Sequence, residues 1–192
     1  MTKTLVLCSI ALLLMGCASG DPTRYYLIEA LTPSTASMGQ HPAIELLDVE
    51  IPQYLERYQI ASRRGDNRVV FAANNQWGEN LRKNLTRVIA RNLTNELGTT
   101  AVGSPHLRLT GSVDVFIKVF IEQFERGPDG FVYLSARWQL LDSNRQTLEN
   151  ASTRLSSSKP VDAMDYIATV RELSKLVARL SHEMVKKVRN QE

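Results

Sequence analysis

The sequence predicts an α+β domain, an antiparallel sheet with two long amphipathic helices packed on one face. Three observations carry this. Two stretches repeat apolar residues at three- and four-residue steps: Trp77-Leu81-Leu85-Val88-Ile89-Leu93-Leu97 and Tyr166-Val170-Leu173-Val177-Leu180-Met184-Val188. Each is the pattern of one buried helix face. Between them, residues 106–126 and 131–142 alternate apolar and polar, the period of strands with one buried face. The turn Gly127-Pro128-Asp129-Gly130 joins these two runs directly, and only antiparallel neighbours accept so short a connection.

Each element follows in order. Residues 25–30 are predicted as a first strand, and the Pro/Ser/Thr-rich residues 31–42 as a loop. Residues 43–50 are β-like, with Ile44, Leu46 and Val49, and are interrupted by Pro52. Residues 58–64 and 69–72 flank Gly65-Asp66-Asn67-Arg68, a hairpin turn whose residues tolerate positive φ. The first helix spans residues 77–97, capped by Asn74 or Asn75, with Gly98 at the left-handed position past its end. Residues 106–126 form one long strand, in which Gly111 marks a bulge or a close packing contact. A strand of that length is unusual, so a bulge near residue 116 is also weighed. Residues 131–142 return, Ser143-Asn144-Arg145-Gln146 turns, and residues 147–158 form an edge strand. Asp162 caps the last helix, whose end is crowded by Lys186, Lys187 and Arg189, where cations are favourable.

The chain has 192 residues, 22% charged and 43% apolar, with a net charge of +3. That composition excludes a disordered or collagen-like chain. The charge is too small to imply a nucleic acid as main partner. The two cysteines, Cys8 and Cys17, exclude a disulfide scaffold and a four-cysteine zinc site.

The N-terminus divides that pair. Lys3 precedes an uncharged apolar run from Leu5 to Met15, too short to span a bilayer, for which about 20 residues are needed. It fits the apolar region of an export signal. The run ends in Leu14-Met15-Gly16-Cys17, which resembles a bacterial lipobox. Residues 1–16 are therefore expected to be a lipoprotein signal peptide and Cys17 the lipid anchor, with N-acyl and S-diacylglycerol groups. At about 0.8 kcal/mol per buried CH₂, three acyl chains hold a protein on a membrane almost irreversibly. Ala18, rather than Asp, follows Cys17, which by resemblance to outer-membrane lipoproteins favours the outer membrane and its periplasmic side. Residues 17–24 read as a short tether, and 25–192 as a single domain. The mature chain then has net charge +2 and no free thiol.

No catalytic constellation is evident. There is no Gly-x-Ser-x-Gly elbow and no phosphate-binding Gly-rich loop. His182-Glu183 begins like a zinc-protease helix, but Lys186 stands where the second histidine is required. Asn84-Leu85-Thr86, Asn92-Leu93-Thr94 and Asn150-Ala151-Ser152 are glycosylation sequons only formally. No cofactor, no metal and no enzymatic activity are expected. The one surface feature with a functional reading is aromatic. Strict alternation places Phe116, Phe120 and Phe124, with Phe131 and Tyr133 across the turn, on the face opposite the core row. Such a patch marks a partner or lipid contact, the alternative being that a bulge returns some of these rings to the core.

Tyr25-Tyr26-Leu27, Ile51-Pro52-Gln53-Tyr54-Leu55-Glu56-Arg57 and Trp77-Gly78-Glu79-Asn80-Leu81, together with the lipobox, resemble the ABC-type transport auxiliary lipoprotein family over essentially the whole mature chain. Glu56 stands where Asp or Asn is often expected, and Gly78 where Ala is common. The resemblance implies a non-enzymatic, periplasm-facing outer-membrane lipoprotein. It implies as partner an MCE-domain protein of an inner-membrane complex that moves lipids (phospholipids) between the two membranes. Homo-oligomerisation stays open. A lipid carrier with its own apolar cavity between sheet and helices is the alternative to an adaptor. Among the matching residues, Pro52, Tyr54, Leu55 and Arg57 are expected to form a shared structural corner, and Trp77 a core anchor at the helix start.

Overall fold

The computed structural model describes residues 21–30 and 41–190. The expected signal peptide, Cys17 and most of the loop at 31–42 lie outside the described residues. The strands are β1 (Arg24–Tyr26), β2 (Ile44–Leu46), β3 (Gln59–Arg63), β4 (Val69–Trp77), β5 (Val102–Gly103), β6 (Val115–Arg126), β7 (Val132–Asp142) and β8 (Thr147–Ser156). The helices are α1 (Leu81–Leu97) and α2 (Tyr166–Arg189), and a single 3-10 turn covers Gln53–Glu56. The strands form one eight-stranded mixed sheet. Both helices pack against it, as the sequence predicts.

The long hairpin β6–β7 and its neighbour β8 are antiparallel, with β6 paired to β7 from Val115↔Asp142 to Arg126↔Val132 across one register shift. On the other edge of β6 the pairing is parallel. Its first residues bond β2, and its last, Arg126, meets Ser62 of β3. β1 is parallel to β4, and β5 to β2. The antiparallel sheet expected from the turns is present in the hairpins β3–β4, β6–β7 and β7–β8, and the short strands add parallel pairings to it. The short strands β1, β2 and β5 are separated from their partners by other elements, so no tight turn dictates their direction.

One sheet face is buried beneath the helices. Ile117, Val119, Ile121, Leu134, Ala136 and Leu140 are fully buried there, together with Leu85, Ile89 and Leu93 of α1 and Leu173, Val177, Leu180 and Met184 of α2. Polar side chains inside this layer are paired. Trp138 Nε1 donates to Thr153 (3.1 Å), whose hydroxyl donates to Glu183 (2.5 Å). Asn84 clamps the Ile28 backbone, accepting from its N–H at 2.7 Å and donating to its carbonyl at 3.2 Å. An amide that is 2% exposed and bonded to the Ile28 backbone is closed to a glycan, so the Asn84 sequon is closed by the fold.

Several boundaries differ from the sequence reading. Trp77 ends β4 rather than starting a helix, and Asn80, not Asn74 or Asn75, caps α1 by accepting from Lys83 N–H. Asp165 rather than Asp162 caps α2. Gly98 adopts φ +64°, ψ +32° and its N–H bonds Thr94, the left-handed end expected. The turn before β4 carries Asp66 and Asn67 at φ +63° and +61°, as that sequence implies. Residues 108–114 are not part of the long strand. Gly111, at φ +133°, lies in that loop with nothing close to the position of a Cβ, so it marks neither a bulge nor a contact.

Candidate functional site

The bulge of β6 decides which aromatic rings are available. Up to Ile121 the odd-numbered residues face the helices. The register with β7 then shifts between Ile121 and Gln123, and one extra residue exchanges the faces beyond it. Phe124 consequently points into the core, 1% exposed, with its ring 6.3 Å from that of Trp77. The expected five-membered patch is corrected: Phe124 does not belong to it, and the bulge sits some five residues later than anticipated.

Phe116 and Phe120 do lie on the face away from the helices, half-buried rather than bare. The Arg145 guanidinium stands 3.7 Å from the centre of the Phe116 ring, and Arg137 5.3 Å from that of Phe120, a cation–π arrangement. Arg137 also pairs with Glu122 at 2.6 Å, and Lys118 with Glu50 at 3.3 Å. An open groove of about 640 Å³ runs here, lined by Glu50, Lys118, Phe120, Arg137, Gln139 and Asn150 among others. Phe131 and Tyr133 sit apart, at the β6–β7 turn. Tyr133 lies against Gly127, where an added Cβ would come within 2.7 Å of the ring, and its hydroxyl bonds Asp129. Gly127 is thus required by close approach rather than by its φ.

Pro52, Tyr54, Leu55 and Arg57 lie in or beside the single 3-10 turn, and Trp77, buried at the end of β4, donates its N–H to the Tyr58 carbonyl at 2.7 Å. The Pro52 carbonyl accepts from Leu55 N–H at 2.9 Å, closing the 3-10 turn. This drives Leu55 into the core. Arg57 stacks over Phe71 at 4.6 Å. Glu56 accepts from Asn80 at 3.2 Å and approaches Arg82 at 3.6 Å, so the turn is fastened to the capping residue of α1. Gly78 leaves room for an alanine, since a Cβ would meet Leu27 at 3.4 Å.

At the centre of the corner is a group that sequence reasoning missed. The Glu125 side chain is fully buried, accepting from Tyr54 Oη at 2.6 Å and pairing with Arg63 Nε at 2.8 Å. The three residues come from three elements, and nothing in their spacing links them. The only sequence signal is a carboxylate in an apolar strand. Burial, followed by the hydrogen bond to Glu125, raises the Tyr54 phenol well above the ordinary tyrosine range. The bond to Glu125 likewise raises Arg63. A raised folded-state value stabilises the fold below the unfolded value and loses that contribution as pH rises towards the folded one. Wild type is therefore expected to exceed Tyr54→Phe in stability by about 1.5–3 kcal/mol at neutral pH, the range for hydrogen bonds to charged groups. The difference should shrink above about pH 10, where unfolded tyrosine ionises. Urea midpoints of both chains at pH 7 and pH 10.5 measure it; a constant difference contradicts the assignment.

His182 and Glu183 are engaged elsewhere, His182 Nδ1 with Glu96 at 2.8 Å and Glu183 with Thr153. They tie α2 to α1 and to β8. Among the described residues no helix is long and apolar enough to cross a membrane.

The model of the ABC-type transport auxiliary lipoprotein component family matches residues 25–185. The chain is 30% identical over 164 residues to the intermembrane transport lipoprotein PqiC of Escherichia coli (strain K12), covering 83% of this chain and 84% of PqiC. Among solved structures, protein XCC0632 from Xanthomonas campestris superposes with TM-score 0.70 at 14% identity, over 84% of this chain and 92% of that one. A second structure, of an uncharacterised protein, gives TM-score 0.72 at 20% identity, over 88% and 99%. At those identities the structures show a shared fold. The family match spans β1 to α2 and includes the Tyr54–Arg57 corner, and the family's auxiliary role implies a non-catalytic protein: the chain belongs to the ABC-type transport auxiliary lipoprotein family.

Proposed function

We propose that this chain is a periplasm-facing outer-membrane lipoprotein, acylated on Cys17, that acts as a non-enzymatic adaptor of an MCE-type intermembrane lipid transport assembly. The likeness to PqiC over most of both chains supports the transport role. The observation that carries adaptor over carrier is the layer between sheet and helices. A carrier's cavity would lie there, and it is filled by Leu85, Ile89, Leu93, Ile117, Val119, Leu134, Leu173 and Val177, none more than 1% exposed, with Trp138 at 3%. Interiors packed in this way leave no room for an acyl chain without displacing side chains. Solvent extraction of the purified, acylated chain is expected to release no stoichiometric phospholipid. One lipid released per chain would favour the carrier. The mass of the mature N-terminal peptide checks the anchor, an unmodified Cys17 contradicting it.

The contact surface proposed for the partner subunit is the outer sheet face around Phe116 and Phe120, with Phe131 and Tyr133 at its turn. Each of the first two rings is held by an arginine, so the face offers aromatic and cationic groups already in place, the residue types enriched at interface centres. Phe120→Ser is expected to weaken capture of the transport partner at least several-fold. Its melting temperature should fall by only a few degrees, because Phe120 is outside the packed layer. Unchanged capture would remove this face from the interface.

A further inference from the structure

Several exposed apolar side chains lie where the tether enters and around the start of α2. Tyr25, Leu27 and Ile167 line one depression, together with Arg171. Val70 and Met164 line a second, beside Arg64 and Tyr166. Ile167 and Tyr166 are consecutive at the start of α2, so the two depressions adjoin. Tyr25 is 67% exposed, Met164 77% and Ile167 62%. Tyr25, Leu27 and Ile167 share the first depression, and Met164 lies three residues before Ile167. Unlike Phe116 and Phe120, none of Tyr25, Leu27, Val70, Met164 and Ile167 has an arginine stacked on it among the contacts described.

The direction of β1 identifies what they face. β1 runs parallel to β4, from Arg24↔Asn75 to Tyr26↔Trp77, and β4 leads away from the Asp66–Asn67 turn. The chain reaching Arg24 therefore arrives from the side of that turn and of the α2 N-terminus. Arg24 is seven steps along the chain from Cys17, and at no more than about 3.6 Å per step they lie at most about 25 Å apart. Wherever Cys17 is held, this end of the domain is close to it.

We propose that Tyr25, Leu27, Met164 and Ile167 form a second membrane contact, seated in the interfacial layer of the bilayer that holds the acylated cysteine. The proposal rests on Cys17 being that anchor. Tyrosine suits this depth, with an apolar ring and a polar tip, and Arg64 and Arg171 can keep their heads among phosphates while their stems lie along apolar groups. A surface of this size binds lipid weakly by itself. Held within about 25 Å by the anchor, it acts at high effective concentration. The contact fixes the orientation of the domain, with the N-terminus of α2 towards the lipid, where a single flexible tether would leave it free to tumble.

The test uses the acylated full chain on phosphatidylethanolamine–phosphatidylglycerol vesicles. Nitroxide labels are placed by Met164→Cys, Ile167→Cys and, as a control, Leu107→Cys, one at a time. The acylated Cys17 leaves no competing thiol. Leu107 is 71% exposed and lies beside β5, at the opposite end of the strand order from β1. Labels at 164 and 167 are expected to collide several-fold less with an aqueous nickel complex than the label at 107. Equal accessibility at all three sites, with Cys17 acylated by mass, overturns the second contact and leaves the anchor standing. A Cys17 without acyl groups overturns both. Shielding that appears only at high protein density on the vesicles assigns the surface to a second copy and also overturns the proposal.

Discussion

Phe124→Ala is expected to cost about 3–5 kcal/mol of folding stability, the range for a large buried ring replaced by a methyl group. Phe120→Ala, four residues earlier on the same strand, should cost less than half as much. The contrast follows from the single extra residue in β6. Phe120 precedes the register shift and points away from the helices, whereas Phe124 follows it and lies in the core against Trp77. Removing Phe124 empties a site bounded by the last residue of β4 and the hairpin β6–β7, elements too rigidly paired to collapse into the space. Urea unfolding monitored by circular dichroism gives both values. Equal losses would mean that β6 is unbulged and that both rings share a face.

Arg63→Met is expected to destabilise the chain by about 3 kcal/mol, because it leaves the Glu125 carboxylate buried without its cation. The loss sits at the low end of that range because the Arg63 side chain is 37% exposed, so water can take part of its place. Glu125→Gln in the Arg63→Met background should recover a large part of the loss, since the second change removes the charge that the first one stranded. A double-mutant cycle measures the coupling. Additive losses would show that Arg63 acts by packing on Tyr54 alone, whose ring centre lies 5.8 Å from its guanidinium.

These two sites also mark where the sequence could and could not be read. The helical stripes of α1 and α2 were legible because each buries one continuous face, and the ends at Gly98 and at the Asp66–Asn67 turn because they require particular backbone conformations. The spacing places Trp77 in the helix, and the structure differs for a physical reason. Trp77 stands four residues before Leu81, the spacing of a helix, while its backbone is still extended in β4 and bonded to Tyr58 through its N–H. Alternation from residue 106 onward likewise continued through a loop that does not pair as a strand. A bulge leaves no local mark, because both registers of β6 are equally apolar on paper; only the pairing with β7 shows which rings cross over. The Glu125 cluster was illegible for a different reason. Tyr54, Arg63 and Glu125 meet only after three elements have packed, and no periodicity relates them. The parallel pairings of β1, β2 and β5 share that origin. The corner at Pro52 to Arg57 was recognisable as a pattern, and its contacts with Phe71, Asn80 and Arg82 explain how it joins sheet to helix.

The proposed role depends on one association. The acylated chain should be solubilised from its native envelope in mild detergent and isolated by a tag placed after Glu192. The account predicts that an MCE-domain protein of the inner membrane co-purifies in fixed ratio. It also predicts that Phe120→Ser, folded to the same extent, loses most of that partner. Recovery of the chain without any MCE-domain protein, but with phospholipid bound to it, would contradict the adaptor role and leave a carrier in its place.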